Sequence, residues 1–83
     1  MLITLYIYTN KLVSYMADIK QQVGQQIREA RKAKGYTQKE VSEKLGISEG
    51  SYNRYENGSA NLSIETIQRV AHVLGTKITV NAE

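Results

Sequence analysis

Residues 35–58 read GYTQKEVSEKLGISEGSYNRYENG, and this stretch decides how the chain folds. Thr37 stands where a helix starts. Its hydroxyl can accept the backbone N–H of Glu40, whose side chain is placed to bond back to the Thr37 N–H. Val41 and Leu45 then fall four residues apart on one helical face. Gly46 follows at the position where helices end in the left-handed conformation that glycine adopts without steric cost. Ser48 is a second N-cap, so a new helix starts within three residues of the end of the first. This second helix, about 48–57, puts Tyr52 and Tyr55 inward and leaves Glu49, Gly50, Asn53 and Arg54 outward, and Gly58 ends it. Two short helices joined by a tight turn, the second with a polar outer face, have the shape that fits a protein helix into a DNA major groove.

Upstream, a helix is expected from Asp18 to about Lys34, with Gln21 completing a capping-box-like pair. Val23 and Ile27 stack on its inner face, Ala30 extends the stripe, and Arg28, Lys32 and Lys34 spread over the outer faces. Gly35 closes it. Downstream, Ser59, Ala60 and Asn61 make a polar loop, and Ser63 caps a last helix that runs to about Leu74. Its core stripe is Ile67, Val70, Ala71 and Leu74, with Ile64 at the entry.

The ends have a different period. Leu2 to Tyr8 alternates in β-branched and aromatic residues, as does the segment from Thr76 to Val80, and both read as short strands. For the first segment two readings are open: a strand that pairs with another, or an upstream extension preceding a natural start at Met16. The expected organisation is an N-terminal extension over 1–17, a helical domain over 18–75 and a C-terminal strand or tail over 76–83. An isolated strand leaves its own backbone groups unsatisfied, so the tail needs residues 2–8, a second copy or another partner.

The 83 residues make one domain. A chain of this size buries about 60–65% of its unfolded surface and gains from a partner. The net charge of +3 is concentrated, since residues 19–47 hold seven Lys/Arg against three acids. That local excess suits a polyanion. With no cysteine there is neither a disulfide frame nor a thiolate metal site, which agrees with a reducing, cytoplasmic setting. The alternating N-terminal run is too short to span a bilayer and lacks the basic start of a secretory signal, so no membrane role is read from it. His72 is the only histidine, flanked by Ala71 and Val73. No carboxylate pair, nucleophile elbow or phosphate loop is visible, so neither an enzyme nor a cofactor or metal is expected.

Taken together, Arg31, Tyr36-Thr37-Gln38, Glu40-Val41, Gly46-Ile47-Ser48 and Tyr55-Glu56-Asn57-Gly58 resemble the helix-turn-helix of the Xre/Cro family of lambda-repressor-like domains. The resemblance spans about residues 19–75. It implies an all-α bundle of four or five helices, to which the terminal strands would be additions. It also implies binding of double-stranded DNA, usually as a homodimer on a palindrome, by a transcriptional regulator of bacterial or phage origin, here expected to be a repressor. Positions matching Glu49, Gly50 and Arg54 approach base edges in the family, and Asn53 shares their face. Arginine offers two donors to guanine and glutamate can accept from cytosine, each good pair contributing about 1–3 kcal/mol of discrimination. Gln38 resembles a glutamine that touches phosphate and buttresses the reading helix. Thr37 and Ser48 sit at helix N-termini that present N–H groups to phosphates, with Lys39, Asn57, Ser59 and Asn61 as further backbone contacts. The family pairs the positions of Arg31 and Glu56 in a partly buried salt bridge. The alternative is an antitoxin that binds a toxin protein and controls its own operon, because some antitoxins of the family add a terminal strand like 76–80.

Overall fold

The computed structural model describes residues 2–80, with side chains from Met16 onward. Four helices follow in order: α1 (Leu2–Lys34), α2 (Gln38–Leu45), α3 (Glu49–Asn57) and α4 (Ile64–Leu74). The fold is all-α, with no strand among the described residues. None of the helices among those residues is long and apolar enough to cross a membrane.

Local chemistry sets the helix boundaries. Thr37 accepts from the Glu40 N–H at 3.1 Å, and Glu40 Oε1 accepts from the Thr37 N–H at 3.1 Å, completing the capping box of α2. Ser48 and Ser63 cap α3 and α4 by accepting from the N–H groups of Ser51 and Thr66, each at 3.1 Å. Such caps contribute about 1 kcal/mol each. At Gly46, φ is 71°, which lets the Ile47 N–H turn back to Ser42 O at 3.0 Å and stop α2. Arg69 of α4 adds a tertiary cap, donating from Nη2 to Leu45 O at 3.0 Å.

All four helices contribute to one core: Val23 and Ile27 from α1, Val41 and Leu45 from α2, Tyr52 from α3, and Val70 and Leu74 from α4. Fully burying each aliphatic side chain contributes about 1.5–3 kcal/mol. Ala30, Tyr55 and Ile67 pack against this core in part, as does Ile78 of the tail. Ile64, expected at the core entry, is instead 76% exposed. It is the first residue of α4, before the helix has reached the bundle.

Three expectations about the ends are corrected. Residues 2–8 belong to α1 and do not form a strand, and α1 runs through Asp18 without starting there. A strand needs a neighbour for its backbone groups, and no strand is present among the described residues; a helix satisfies those groups within itself. The tail at 76–80 has no regular secondary structure and joins no ladder. Its partner is a side chain: Gln26 Oε1 accepts from the Thr79 N–H at 2.8 Å, and Gln26 Nε2 donates to Thr79 O at 2.5 Å. One primary amide thus stands in for a neighbouring strand. Met1, at the head of the expected extension, and residues 81–83 of the expected tail lie outside the described residues.

The crossing of α1 and α3 depends on Gly24. A Cβ there would lie 2.5 Å from Glu56 O and 2.7 Å from Tyr55 O, closer than real contacts allow. Both obstructing atoms are backbone, so relief requires the helices to separate. Gly24→Ala is expected to destabilise the domain by about 1–3 kcal/mol despite alanine's better helix propensity. Denaturant unfolding of the variant checks this, and an unchanged midpoint contradicts the close crossing.

Candidate nucleic-acid interface

The second helix of the turn motif is held from behind and open in front. On its inner side Tyr52 is fully buried and meets Tyr55 edge to face, with ring centroids 6.1 Å apart. Glu56, one turn on from Tyr52, is buried as well and receives Arg31 of α1. Arg31 Nε donates to Glu56 Oε2 at 2.6 Å and Nη2 to Oε1 at 3.2 Å, a two-pronged ion pair across the α1–α3 crossing. Arg31 Nη1 also donates to Tyr36 O at 2.9 Å, tying in the α1–α2 connection. Gln38, the first residue of α2, adds a bond from Nε2 to Glu56 Oε1 at 3.1 Å.

These contacts govern the charge state of Glu56. Burial disfavours its carboxylate, but hydrogen bonds led by Arg31 outweigh burial and hold its pKa below the ordinary value. The Tyr52 hydroxyl is close enough to feel both charges yet makes no hydrogen bond of acceptable geometry among the described residues. Burial, reinforced by the neighbouring Glu56, pushes that hydroxyl well above its ordinary value and keeps it neutral.

In front, Glu49, Gly50, Asn53 and Arg54 are all exposed on one face of α3. No described residue bonds the side chains of Glu49 or Arg54, so their charges are available. Asn53 differs, because its Oδ1 accepts from Gln38 Nε2 at 3.3 Å. Gly50 has a helical φ, and a Cβ there would meet nothing within 4 Å, so neither packing nor backbone geometry requires glycine.

The expected backbone-contact residues divide in the same way. Thr37 and Ser48 use their hydroxyls as caps, and Ser48 Oγ also donates to Ser51 Oγ at 2.9 Å. Asn57 Oδ1 accepts from the Ser59 N–H at 3.0 Å and from its hydroxyl at 2.6 Å, folding the loop after α3 back on the helix end. Lys39 and Asn61 are exposed. Gln38, Asn53, Glu56 and Asn57 come together with Arg28 and Arg31 around a groove of about 200 Å³. Sequence reasoning had placed Arg28 on an outer face without a role. It also overlooked Gly24, for which a glycine inside a strongly helical run was the available signal.

Two short helices, a three-residue turn, and a second helix clamped from behind define a helix-turn-helix module. The helix-turn-helix family model matches residues 27–81, and the chain belongs to that family, as the Xre/Cro resemblance implied. It is similar to the SPbeta prophage-derived uncharacterized HTH-type transcriptional regulator YonR of Bacillus subtilis, with 33% identity over 52 residues, 63% of this chain and 48% of that protein. It is also similar to the HTH-type transcriptional regulator ImmR of the same organism, with 33% identity over 51 residues, 61% of this chain and 40% of that protein. The matches span less than half the length of either relative. No solved structure matches the chain significantly.

Two stability predictions follow from the site. Because the folded pKa of Glu56 is depressed, its contribution is present above the ordinary carboxylate value of 4.5 and is lost as pH falls through the lower folded value. Glu56→Gln, which leaves Arg31 without its counter-ion, is expected to cost about 3 kcal/mol at neutral pH. The gap to wild type should narrow as the medium is acidified below 4.5, and a constant gap in denaturant melts at both pH values contradicts this. Gly50→Ala should stabilise α3 by about 0.5–1 kcal/mol, read as a raised thermal midpoint.

Proposed function

We propose that this protein is a sequence-specific DNA-binding transcriptional regulator, most simply a repressor, that sets α3 into the major groove of double-stranded DNA as a homodimer. The observation that carries this reading is the division of α3. Tyr52 and Glu56 fix it to the bundle, while Glu49 and Arg54 project from the opposite face with no partner among the described residues. The helix-turn-helix family and the description of YonR and ImmR as transcriptional regulators support it. So does the Lys/Arg excess over residues 19–47.

In this reading Arg54 donates to guanine, Glu49 accepts from cytosine, and Gly50 lets the helix approach the base edges closely. Asn53 acts on the same face. The N-termini of α2 and α3, with Thr37, Lys39, Ser48 and the backbone N–H of Gln38, meet the phosphates, and Asn57, Ser59 and Asn61 add contacts from the following loop. Dimerisation would place two α3 helices about one helical turn apart. A cytoplasmic protein resident on the nucleoid fits this activity. The antitoxin alternative rests on the terminal strand, and the described tail lies against Gln26 with no strand partner, so it stands second.

Selection from a randomised duplex pool tests the reading. Wild type should enrich a palindrome, and Arg54→Ala should lose about 1–3 kcal/mol of preference at one base pair per half-site. If salt-sensitive binding yields no enriched sequence, the specific-reader assignment fails and a protein partner becomes the main function.

A further inference from the structure

An asparagine amide has a donating and an accepting end, and a half-turn of the side chain exchanges them. At Asn53 that choice is made from the core. Glu56 is held ionised by Arg31 and can only accept, so the end of Gln38 that faces it at 3.1 Å is the donating Nε2. The same Nε2 lies 3.3 Å from Asn53 Oδ1, and its two N–H groups serve the two acceptors. Asn53 therefore commits its acceptor toward α2. Its Nδ2 has no partner among the described residues, and Asn53 is exposed.

We propose that Arg31, Glu56, Gln38 and Asn53 form a polarity relay that makes Asn53 a donor-only reader on α3. It meets a hydrogen-bond acceptor on DNA, either a guanine edge or a phosphate oxygen, and cannot make the two-bond contact that selects adenine. This rests on the DNA-binding reading above. Adenine recognition by asparagine needs both ends at once, the carbonyl accepting from N6 while the amide donates to N7. Here the Gln38 bond holds the rotation of the amide, so the carbonyl faces α2 and not the groove. Arg31, Glu56 and Gln38 are positioning residues: they set what Asn53 offers without touching the base. The relay links a buried ion pair to base choice through 3.1 and 3.3 Å hydrogen bonds.

Two measurements test it. In the free protein, side-chain amide exchange by NMR should show the Gln38 NH2 protected and the Asn53 NH2 exchanging as an open amide. The reverse pattern overturns the relay. In duplex selection, wild type should show no adenine preference that depends on Asn53. Gln38→Ala, a good helix former at a half-buried helix start, should release Oδ1 and gain at least a threefold adenine preference at one base pair. That preference should vanish in the Gln38→Ala, Asn53→Ala double variant. Asn53→Ala alone separates the two acceptors: a relaxed guanine preference identifies a base contact, and a uniform loss with a salt slope reduced by about one identifies a phosphate. An Asn53-dependent adenine preference in wild type, or base preferences unchanged by Gln38→Ala, overturns the inference while DNA reading stands. If wild type binds no duplex at all, the parent reading falls and takes this one with it.

Discussion

The ion pair between Arg31 and Glu56 is the constraint on which the arrangement of the helix-turn-helix depends. It joins residues 25 apart in sequence and spans the crossing of α1 and α3 at the point where Gly24 allows the two backbones to approach. The Glu56 side chain is only 3% exposed, so its charge is tolerable solely because Arg31, and then Gln38, complete its hydrogen bonds. The same arginine reaches Tyr36 O, so one guanidinium sets the relative positions of α1, α3 and the segment entering α2. A two-pronged contact of this kind fixes direction as well as distance. A hydrophobic core alone leaves short helices free to rotate a little about their axes, and a reading helix with such freedom would blur its contacts.

The core supplies cohesion with few residues, and caps and clamps at the helix ends assist it. α2 and α3 have 8 and 9 residues, far below the length at which helices persist alone. They form because Thr37 and Ser48 start them, glycines stop them, and Val41, Leu45 and Tyr52 bury one side of each. Polar groups therefore do structural work at one end and remain available at the other. Thr37 and Ser48 occupy their hydroxyls in capping, yet the helix N-termini they frame still present N–H groups outward, where anions are favoured.

Much of the module was legible in the sequence because its signals are local. A capping hydroxyl, its partner three residues on and a glycine at the helix end act within a single turn, so their spacing determines the outcome. The ends of the chain were less legible. Alternation at 2–8 and 76–80 indicated strands, but a strand is a statement about a neighbour, and none exists among the described residues. The first segment continues α1, and the second is held by the amide of Gln26, which no periodicity could have identified. The outward face of α3 was readable from the helical period. That Asn53 is tied to Gln38 was not, because the two lie 15 residues apart and meet only once α2 and α3 are packed.

The sequence by itself determined where three helices begin and end, which residues of α3 point outward, and which glycines stop the chain, since each depends on groups within a few residues of one another. Pairing of Arg31 with Glu56 came from resemblance, and the geometry of that pair was beyond local reasoning. Only the tertiary structure decided how closely α1 crosses α3, how the tail is held, and which end of the Asn53 amide faces outward. Those features depend on groups from separate helices meeting within about 3 Å, a distance that only packing can bring about.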